Sequence, residues 1–122
     1  MLLDEELTGK IIGLAMDAHR KLGPGFKEIV YHEAMIVVLR KAGYHVETEK
    51  LFNVFLDGAK VGKFRVDIMV EEKIIVEIKA VGGIMPKIFL SQVVSYLKAS
   101  NTKVGLLLNF ANPSLDFKRL AN

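Results

Sequence analysis

The sequence contains no cysteine, no long apolar run and no massed block of basic residues, and each absence excludes a class of protein. Without cysteine there are neither disulfides nor thiolate metal sites. Any metal would then bind to histidine, carboxylate or backbone oxygen, a ligand set that suits Mg²⁺ or Mn²⁺. No apolar stretch approaches the ~18 residues that a membrane-crossing helix needs. The 17 lysines and arginines are scattered, so the formal charge of +3 permits a polyanionic partner without indicating one.

The length of the chain, 122 residues, is that of one domain, and we expect a single domain over residues 1–122. Apolar residues make up 51% and charged residues 25%, as is typical of globular proteins. The first residues, MLLDEEL, are acidic and lack the hydrophobic stretch and small-residue cleavage site of a secretory signal. The sequence therefore predicts a cytoplasmic location and no membrane partner.

The spacing of apolar residues predicts the element order ααβββαβ. Helical spacing precedes the LGPG segment at 22–25 and resumes until Gly43, which ends the second helix. Beyond Gly43 the period changes to two, and Asp57-Gly58 is a hairpin turn signal. The expected helices cover residues 5–22, 26–42 and 86–101, and the expected strands cover 45–56, 60–70, 74–81 and 104–110. The last strand is apolar on both faces, as a central strand would be, and the tail from Ala111 is expected to be short and polar.

Three charged residues, Asp67, Glu77 and Lys79, interrupt strands that are otherwise apolar. A buried carboxylate or ammonium destabilises a protein strongly unless it is paired, hydrogen-bonded or bound to metal. Because side chains alternate along a strand, Glu77 and Lys79 share one face. The simplest interpretation is a surface ion pair between them, with Asp67 near the edge of the sheet.

The length of the turn before Glu77 decides whether it meets Asp67. A turn of three residues, 71–73, would pair Val70 with Ile74 and place Asp67 opposite Glu77, whereas two or four residues would send them to opposite faces. In the favourable register the two carboxylates repel each other unless a divalent cation binds between them. The charged residues then predict a cation site at this hairpin.

Phosphodiester hydrolysis through a metal-activated water is the chemistry that fits Asp67, Glu77 and Lys79. Mg²⁺ is commonly bound by one or two carboxylates together with waters and a substrate phosphate. Lys79 would position or help to deprotonate the attacking water, or stabilise the charge that develops on the phosphate.

Glu28 is a further candidate, because helical spacing places it beside Tyr31 and opposite the polar stripe of the second helix. Its carboxylate is therefore expected to face inward, towards the site. A structural role is compatible with this one: with Gly25 as N-cap, Glu28 stands at the third helical position, where an acid caps the helix and favours its dipole.

Gln92 and Tyr96 are four residues apart on the third helix and are therefore neighbours. They are candidates for contacting a phosphate backbone or a nucleotide, and otherwise ordinary surface or locally hydrogen-bonded residues. The histidines, His19, His32 and His45, show no metal-ligand spacing and are expected to be solvated or structural.

The residues from about Glu6 to Phe110 resemble the GxxExxY family of small bacterial and archaeal proteins. That family is placed in the PD-(D/E)xK nuclease superfamily, whose restriction-endonuclease-like core has the order αβββαβ around a mixed central sheet flanked by helices. Three motifs occur here in the family's order: Gly25-x-x-Glu28-x-x-Tyr31, Asp67…Glu77-x-Lys79 and Gln92-x-x-x-Tyr96. One departure is Val66, which replaces the proline that names the superfamily.

By this resemblance, Asp67 and Glu77 would bind Mg²⁺ or Mn²⁺ with a backbone carbonyl beside Glu77, and Lys79 would be the catalytic lysine. Glu28 would be an additional acid near the metal. The substrate-binding residues would be Gln92, Tyr96 and Tyr31.

The partner implied by the resemblance is nucleic acid, with DNA favoured over RNA. The small size of the chain favours a homo-oligomer, because one small domain offers little surface for gripping a duplex. The alternatives are a catalytically inactive nuclease-fold module that binds nucleic acid or a protein partner, and a purely structural interaction domain, because fold membership does not establish catalysis.

Overall fold

The computed structural model describes residues 4–122, which form three helices and five strands. The helices are α1 (Glu5–Leu22), α2 (Glu28–Lys41) and α3 (Lys87–Ser100), and the strands are β1 (Val46–Leu56), β2 (Ala59–Val70), β3 (Ile74–Lys79), β4 (Val104–Asn109) and β5 (Asp116–Ala121). The predicted order is therefore correct up to β4. Within residues 4–122 no helix is both long and apolar enough to cross a membrane.

The prediction of a short polar tail after Ala111 is wrong, because residues 116–121 form β5. This strand pairs only with β4 and lies at an edge of the sheet, where most of its side chains are exposed or half-buried. Because this edge strand buries so little surface, its sequence shows only a weak alternation of apolar residues. Its pairing with β4 is a tertiary contact, which the spacing of residues does not indicate.

The ends of the helices follow their charges. In α1, Glu5 and Glu6 occupy the first turn and three basic residues occupy the last, an arrangement that favours the helix dipole. In α2 the first helical residue is Glu28, not Phe26 as predicted, and Lys27 takes the N-cap position. Glu28 is thus at the first position rather than the third, where its charge still favours the dipole but the predicted cap does not form.

The sheet has the order β1-β2-β3-β4-β5, and only β3 and β4 are parallel. α3 makes the crossover between these two strands. Every residue of β4 is buried, as predicted for a central strand. A Cβ added at Gly105 would lie 3.0 Å from a side-chain carbon of Val93 and 3.3 Å from one of Leu97, so glycine allows α3 to approach β4 closely.

The two faces of the sheet carry separate clusters of buried side chains. The face under α1 and α2 includes Ile11, Met35 and the even-numbered residues of β3. The opposite face, under α3, includes Ile75, Val93 and Leu97. The sheet is therefore covered by helices on both sides, which explains why its central strands are apolar throughout.

β2 pairs with β3 over a much shorter length than with β1. The β2–β3 register contains only Ile68–Val76, Met69–Ile75 and Val70–Ile74, whereas the β1–β2 register continues to Leu56–Ala59. Residues 50–65 consequently form a two-stranded extension of the sheet, which we call the ribbon. The candidate site lies where β2 leaves β3 and the ribbon begins.

Candidate functional site

Asp67 and Glu77 meet at this fork, as the three-residue turn predicts. Val70 pairs with Ile74, so counting along both strands places Asp67 opposite Glu77. The backbone N–H of Asp67 donates a hydrogen bond to Glu77 Oε2 (2.6 Å), and the N–H of Ile78 donates one to Asp67 Oδ2 (2.8 Å). Each carboxylate thus replaces a bond that the backbone ladder would otherwise make, and each keeps one oxygen outside these bonds.

β2 rotates about its axis at Asp67. Residues two apart in a regular strand face the same side. Val66, however, packs in the α3 cluster, while Ile68 packs in the α1–α2 cluster. On the neighbouring strand, Glu49 lies between Thr48 and Lys50, which pair with Ile68 and Val66, and has a φ of +51°, a left-handed conformation uncommon for a residue with a Cβ. The rotation brings a charged side chain from β1 next to Asp67.

Glu77 is 4% exposed, and burial raises the pKa of its carboxyl from an ordinary 4.5 to about 8. The neighbouring charge of Asp67 contributes to this increase, while the hydrogen bond from the Asp67 N–H and the charge of Lys79 oppose it. A carboxyl in this environment holds its proton near neutral pH unless a cation replaces that proton. The site therefore favours a bound positive charge.

Lys79 lies on the same face of β3 as Glu77, because the even-numbered residues of that strand pack on the other face. Its Nζ lies 4.4 Å from the centre of the Phe89 ring on α3, within the range of a cation–π contact. Among residues 4–122 it forms no ion pair within 4.0 Å. The ammonium is held at the edge of the carboxylates and is not neutralised by them.

Glu28 approaches the site from the first turn of α2. The residue is exposed as a whole, but partial desolvation of its carboxyl raises its pKa. Lys79 lowers that pKa and Asp67 raises it, so both charges lie close enough to influence Glu28. The expected inward orientation of Glu28 stays a prediction, and its carboxylate joins neither of the two groups of ligand atoms found within residues 4–122.

A cluster not foreseen from the sequence consists of His32, Glu49 and Asp67, whose ligand atoms all lie within 4.8 Å of one another. We call it the inner cluster. His32 is buried on α2, and its Nε2 lies 3.3 Å from the Asp67 carbonyl oxygen and 3.6 Å from Glu49 Oε1. The spacing of the histidines in the sequence did not indicate this cluster, because His32 reaches the two acids only where α2 carries it over the rotated segment of β1 and β2.

The surroundings of the His32 ring suit a histidine that binds a cation. Its Nδ1 is buried, has no hydrogen-bond partner among residues 4–122 and lies 3.8 Å from Glu33 Oε1. With a cation at Nε2, the proton would be on Nδ1 and directed to an acceptor, as is usual for metal-binding histidines. Carboxylates suit both Mg²⁺ and Mn²⁺, and an added imidazole, as a softer ligand, favours the transition metal of the two.

Tyr96 lies on α3 beside the carboxylates. Its ring stacks on Phe64 with centres 4.3 Å apart, and burial, followed by the charges of Glu77 and Asp67, raises the pKa of its hydroxyl. The hydroxyl accordingly stays protonated and can donate a hydrogen bond. Gln92 stands one turn earlier on α3 and is half-buried.

Tyr31, in contrast, is completely buried in the core. Its hydroxyl donates to the Gly23 carbonyl (2.7 Å) and accepts from the Phe26 N–H (3.1 Å), and its ring stacks on Phe110 at 4.8 Å. In this structure Tyr31 fixes the LGPG loop in front of α2 and has no surface to offer a substrate.

A second group of the same composition, His45, Glu47 and Glu72, lies at the surface, and we call it the outer cluster. Its ligand atoms also lie within 4.8 Å of one another. Here Glu47 is already paired with Lys50 at 3.0 Å, and both His45 and Glu72 are exposed. Solvated groups with a lysine counterion need no metal.

Comparison with solved structures shows a related fold. A crystal structure of SSO0001 matches with a TM-score of 0.60 and 19% identity over 76% of this chain and 48% of that one, so the chain spans about half the length of that protein. Among curated proteins, none matches the sequence. The α/β architecture, with a mixed sheet flanked by helices, is that of the restriction-endonuclease-like fold, as predicted.

The family comparison covers almost the whole chain. Residues 5–120 match a family model described as the PD-(D/E)XK nuclease superfamily. The match includes both strands of the fork, α2 with Glu28 and His32, and α3 with Gln92 and Tyr96. The chain belongs to the PD-(D/E)XK nuclease superfamily.

Proposed function

We propose that this protein is a nuclease that depends on Mg²⁺ or Mn²⁺ and hydrolyses phosphodiester bonds of nucleic acid. The observation that carries the proposal is the pair of carboxylates at the β2–β3 fork, with the buried Glu77 bound to the backbone of Asp67 and Lys79 beside them. Without a cation this arrangement is electrostatically costly, since burial and the repulsion between the two acids raise the pKa of Glu77 to about 8.

The residues that would hold the cation are Asp67 and Glu77, together with Glu28, His32 or Glu49 from the surrounding elements. The free carboxylate oxygens and the imidazole provide hard and borderline ligands. When bound, such a cation supplies Lewis-acid activation of the attacking water and of the phosphate.

The other residues act on the substrate from the α3 side. The ammonium of Lys79 stabilises the negative charge that develops on the phosphate oxygens, and Phe89 holds it in position. The protonated hydroxyl of Tyr96 and the amide of Gln92 donate hydrogen bonds to the phosphate backbone. Tyr31 supports these residues only through the fold.

The finer assignment is to the GxxExxY family, and it is supported by Glu28 at the start of α2 and by Gln92 and Tyr96 on one side of α3. We further propose that residues 1–122 form one domain, that the protein works in the cytoplasm as a homo-oligomer, and that its substrate is DNA. The catalytic role of Asp67, Glu77, Lys79 and Glu28 is part of this proposal.

The test is cleavage of plasmid, linear duplex and single-stranded DNA and of RNA in Mg²⁺ or Mn²⁺. Lys79→Ala is expected to lower the rate by roughly 100-fold or more, because it removes a charge that acts on the transition state. Lys73→Ala, an exposed lysine in the turn of the same hairpin, is the matched control.

Cleavage by Lys79→Ala at the wild-type rate would refute the catalytic role of this site. Cleavage by none of the preparations, with nucleic-acid binding that survives Glu77→Gln, would instead establish a non-catalytic binding module.

A further inference from the structure

The ribbon extends beyond the part of the sheet that β3 supports. Between Lys50–Val66 and Leu56–Ala59 its two strands pair only with each other. At ~3.4 Å per residue the extension is about 20 Å long. A two-stranded ribbon alone is marginally stable in water, so its faces need packing partners.

One face of the ribbon has such a partner. Phe52 and Phe64 stack with ring centres 5.5 Å apart, and Phe64 stacks in turn on Tyr96 of α3. Phe52 and Phe64 are half-buried and pack against the α3 cluster. This covered face is thus part of the protein interior.

The opposite face is bare. Cross-strand pairs point to the same side of a sheet, and the pairs on this side are Leu51–Arg65, Asn53–Lys63 and Phe55–Lys60. All six residues are exposed. The register shift between Val54 and Phe55 brings Lys60 to this side, since strict alternation would send Lys60 away from Lys63.

The bare face consequently carries three cations in a row, which we call the basic row: Arg65, Lys63 and Lys60. Arg65 and Lys63 are about 7 Å apart, because residues two positions apart in a strand are separated by about twice 3.4 Å, and Lys60 follows beyond the register shift, opposite Phe55. Among residues 4–122 none of the three forms an ion pair. The ribbon as a whole has four basic residues and one acid, an excess as large as the formal charge of the entire chain.

The basic row begins at the candidate site. Arg65 is two residues from Asp67 on the same strand, so their Cα atoms are about 7 Å apart, and the row runs from there to the tip of the ribbon. A polyanion lying along the row would therefore reach the strand segment that carries Asp67.

We infer that the bare face of the ribbon is the docking surface for double-stranded DNA, an inference that rests on the proposed function and names the form of its substrate. The major groove of B-form DNA is about 12 Å wide and admits a two-stranded β-ribbon. The row contacts phosphates, while Asn53, Leu51 and Phe55 face the groove, where an amide and apolar groups meet base edges and thymine methyl groups.

Other nucleic acids fit this face less well. Proteins that hold single strands stack bases on aromatic side chains, and here Phe52 and Phe64 are occupied by their stack on Tyr96. The major groove of A-form RNA is too deep and narrow for side chains to read. The observations therefore favour duplex DNA.

The test is fluorescence anisotropy of a labelled DNA duplex of about two helical turns, about 20 base pairs, in buffer with EDTA and no divalent cation. We compare wild-type protein with Lys63→Glu/Arg65→Glu, and with Lys63→Gln/Arg65→Gln in case charge reversal impairs folding. Both variants are expected to weaken binding by roughly 10-fold or more and to lower the salt slope by about 2, one unit for each phosphate that the variant no longer neutralises. The matched control, Lys103→Glu/Lys118→Glu, makes the same charge change at exposed positions on the β4–β5 side of the sheet and is expected to bind as wild type does.

Three results would overturn the inference. Equal weakening in the control would show that only net charge matters. Tighter binding of the same strand in single-stranded form would identify a different substrate. A dimer in sedimentation that the ribbon variants dissociate would show that the bare face binds a second copy of the chain.

The same samples separate this inference from the proposed function. Asp67→Asn/Glu77→Gln is expected to bind the duplex as wild type does, because its ribbon is unchanged, and to cleave nothing. Ribbon-dependent binding without cleavage by wild-type protein would refute the nuclease activity alone. If the wild-type protein cleaves and the substitutions at Lys63 and Arg65 leave duplex binding unchanged, only the docking surface is refuted.

Discussion

The inner and outer clusters each contain one histidine and two carboxylates with ligand atoms within 4.8 Å of one another. The outer cluster is solvated, and Lys50 neutralises Glu47. In the inner cluster the histidine is buried and has a ring nitrogen without a hydrogen-bond partner in the part of the chain that the structure describes, and the buried Glu77 lies on β3. The distances between ligand atoms do not distinguish the two clusters. The free-energy penalty for leaving their charged groups unpaired does, because it is larger where those groups are buried.

The largest expected difference between the inner and outer clusters is the effect of a substitution on cation affinity. Asp67→Asn should weaken Mn²⁺ binding by roughly 100-fold or more, since the inner cluster and the Asp67–Glu77 pair share this carboxylate. The Asn side chain can still accept the hydrogen bond from the Ile78 N–H, so the fold is preserved. Glu72→Gln in the outer cluster should change nothing in the same calorimetric titration. Equal effects of the two substitutions would remove the distinction between the clusters.

The second prediction concerns pH. Because the folded protein holds the proton of Glu77 with a pKa of about 8 and the unfolded chain near 4.5, the free energy of unfolding should fall as pH rises between these values. The metal-free protein should be less stable at pH 9 than at pH 5, and Glu77→Gln should remove a few kcal/mol of this difference. Urea unfolding at both pH values measures the effect. If the free energy of unfolding of Glu77→Gln depends on pH as that of the wild type does, a group other than Glu77 is responsible for the titration.

Cation affinity should change with pH in the opposite direction to the stability of the metal-free protein. A cation competes with the proton of Glu77, so Mg²⁺ affinity should rise with pH until about 8 and then level off. Glu47→Gln in the outer cluster is the control and should show the same rise as wild type, while Glu77→Gln should show none. Proton release on titration, measured in two buffers of different ionisation enthalpy, provides the check.

A smaller effect is expected from the histidines. His32→Ala should weaken Mn²⁺ about 10-fold and Mg²⁺ less, because imidazole is the softer ligand. His45→Ala should leave both affinities unchanged. A loss of Mg²⁺ affinity as large as that of Mn²⁺ would mean that His32 acts through the fold rather than as a ligand.

The smallest expected effect is that of Tyr31→Phe, which should change the stability of the fold and leave the candidate site unaffected. Tyr31→Phe removes a hydroxyl that bridges Gly23 and Phe26, and should cost about 1 kcal/mol of stability because two partly buried main-chain groups lose their partner. Cation affinity should be unchanged. Chemical denaturation and calorimetry on the same variant measure both quantities, and a selective loss of cation binding would return Tyr31 to the site.

The sequence reduced the pairing of Asp67 with Glu77 to one local quantity, the number of turn residues, because strand register follows from that count. The structure has the three-residue turn that the pairing requires. The sequence was sufficient for the limits of α1, where charge and glycine mark both ends. It was not sufficient for His32 and Glu49. Their proximity depends on the left-handed residue Glu49 and on the packing of α2 over the fork, and neither has a local signal.

The hydrogen bonds at the fork give the site two reporters that need no label. The amide protons of Asp67 and Ile78 are donated to Glu77 and Asp67 carboxylate oxygens, respectively, rather than to strand carbonyls. Their NMR frequencies and exchange with solvent therefore follow the charge and contacts of the two side chains directly. A titration with any cation, inhibitor or oligonucleotide can be read from two backbone resonances, even under conditions in which nothing is cleaved.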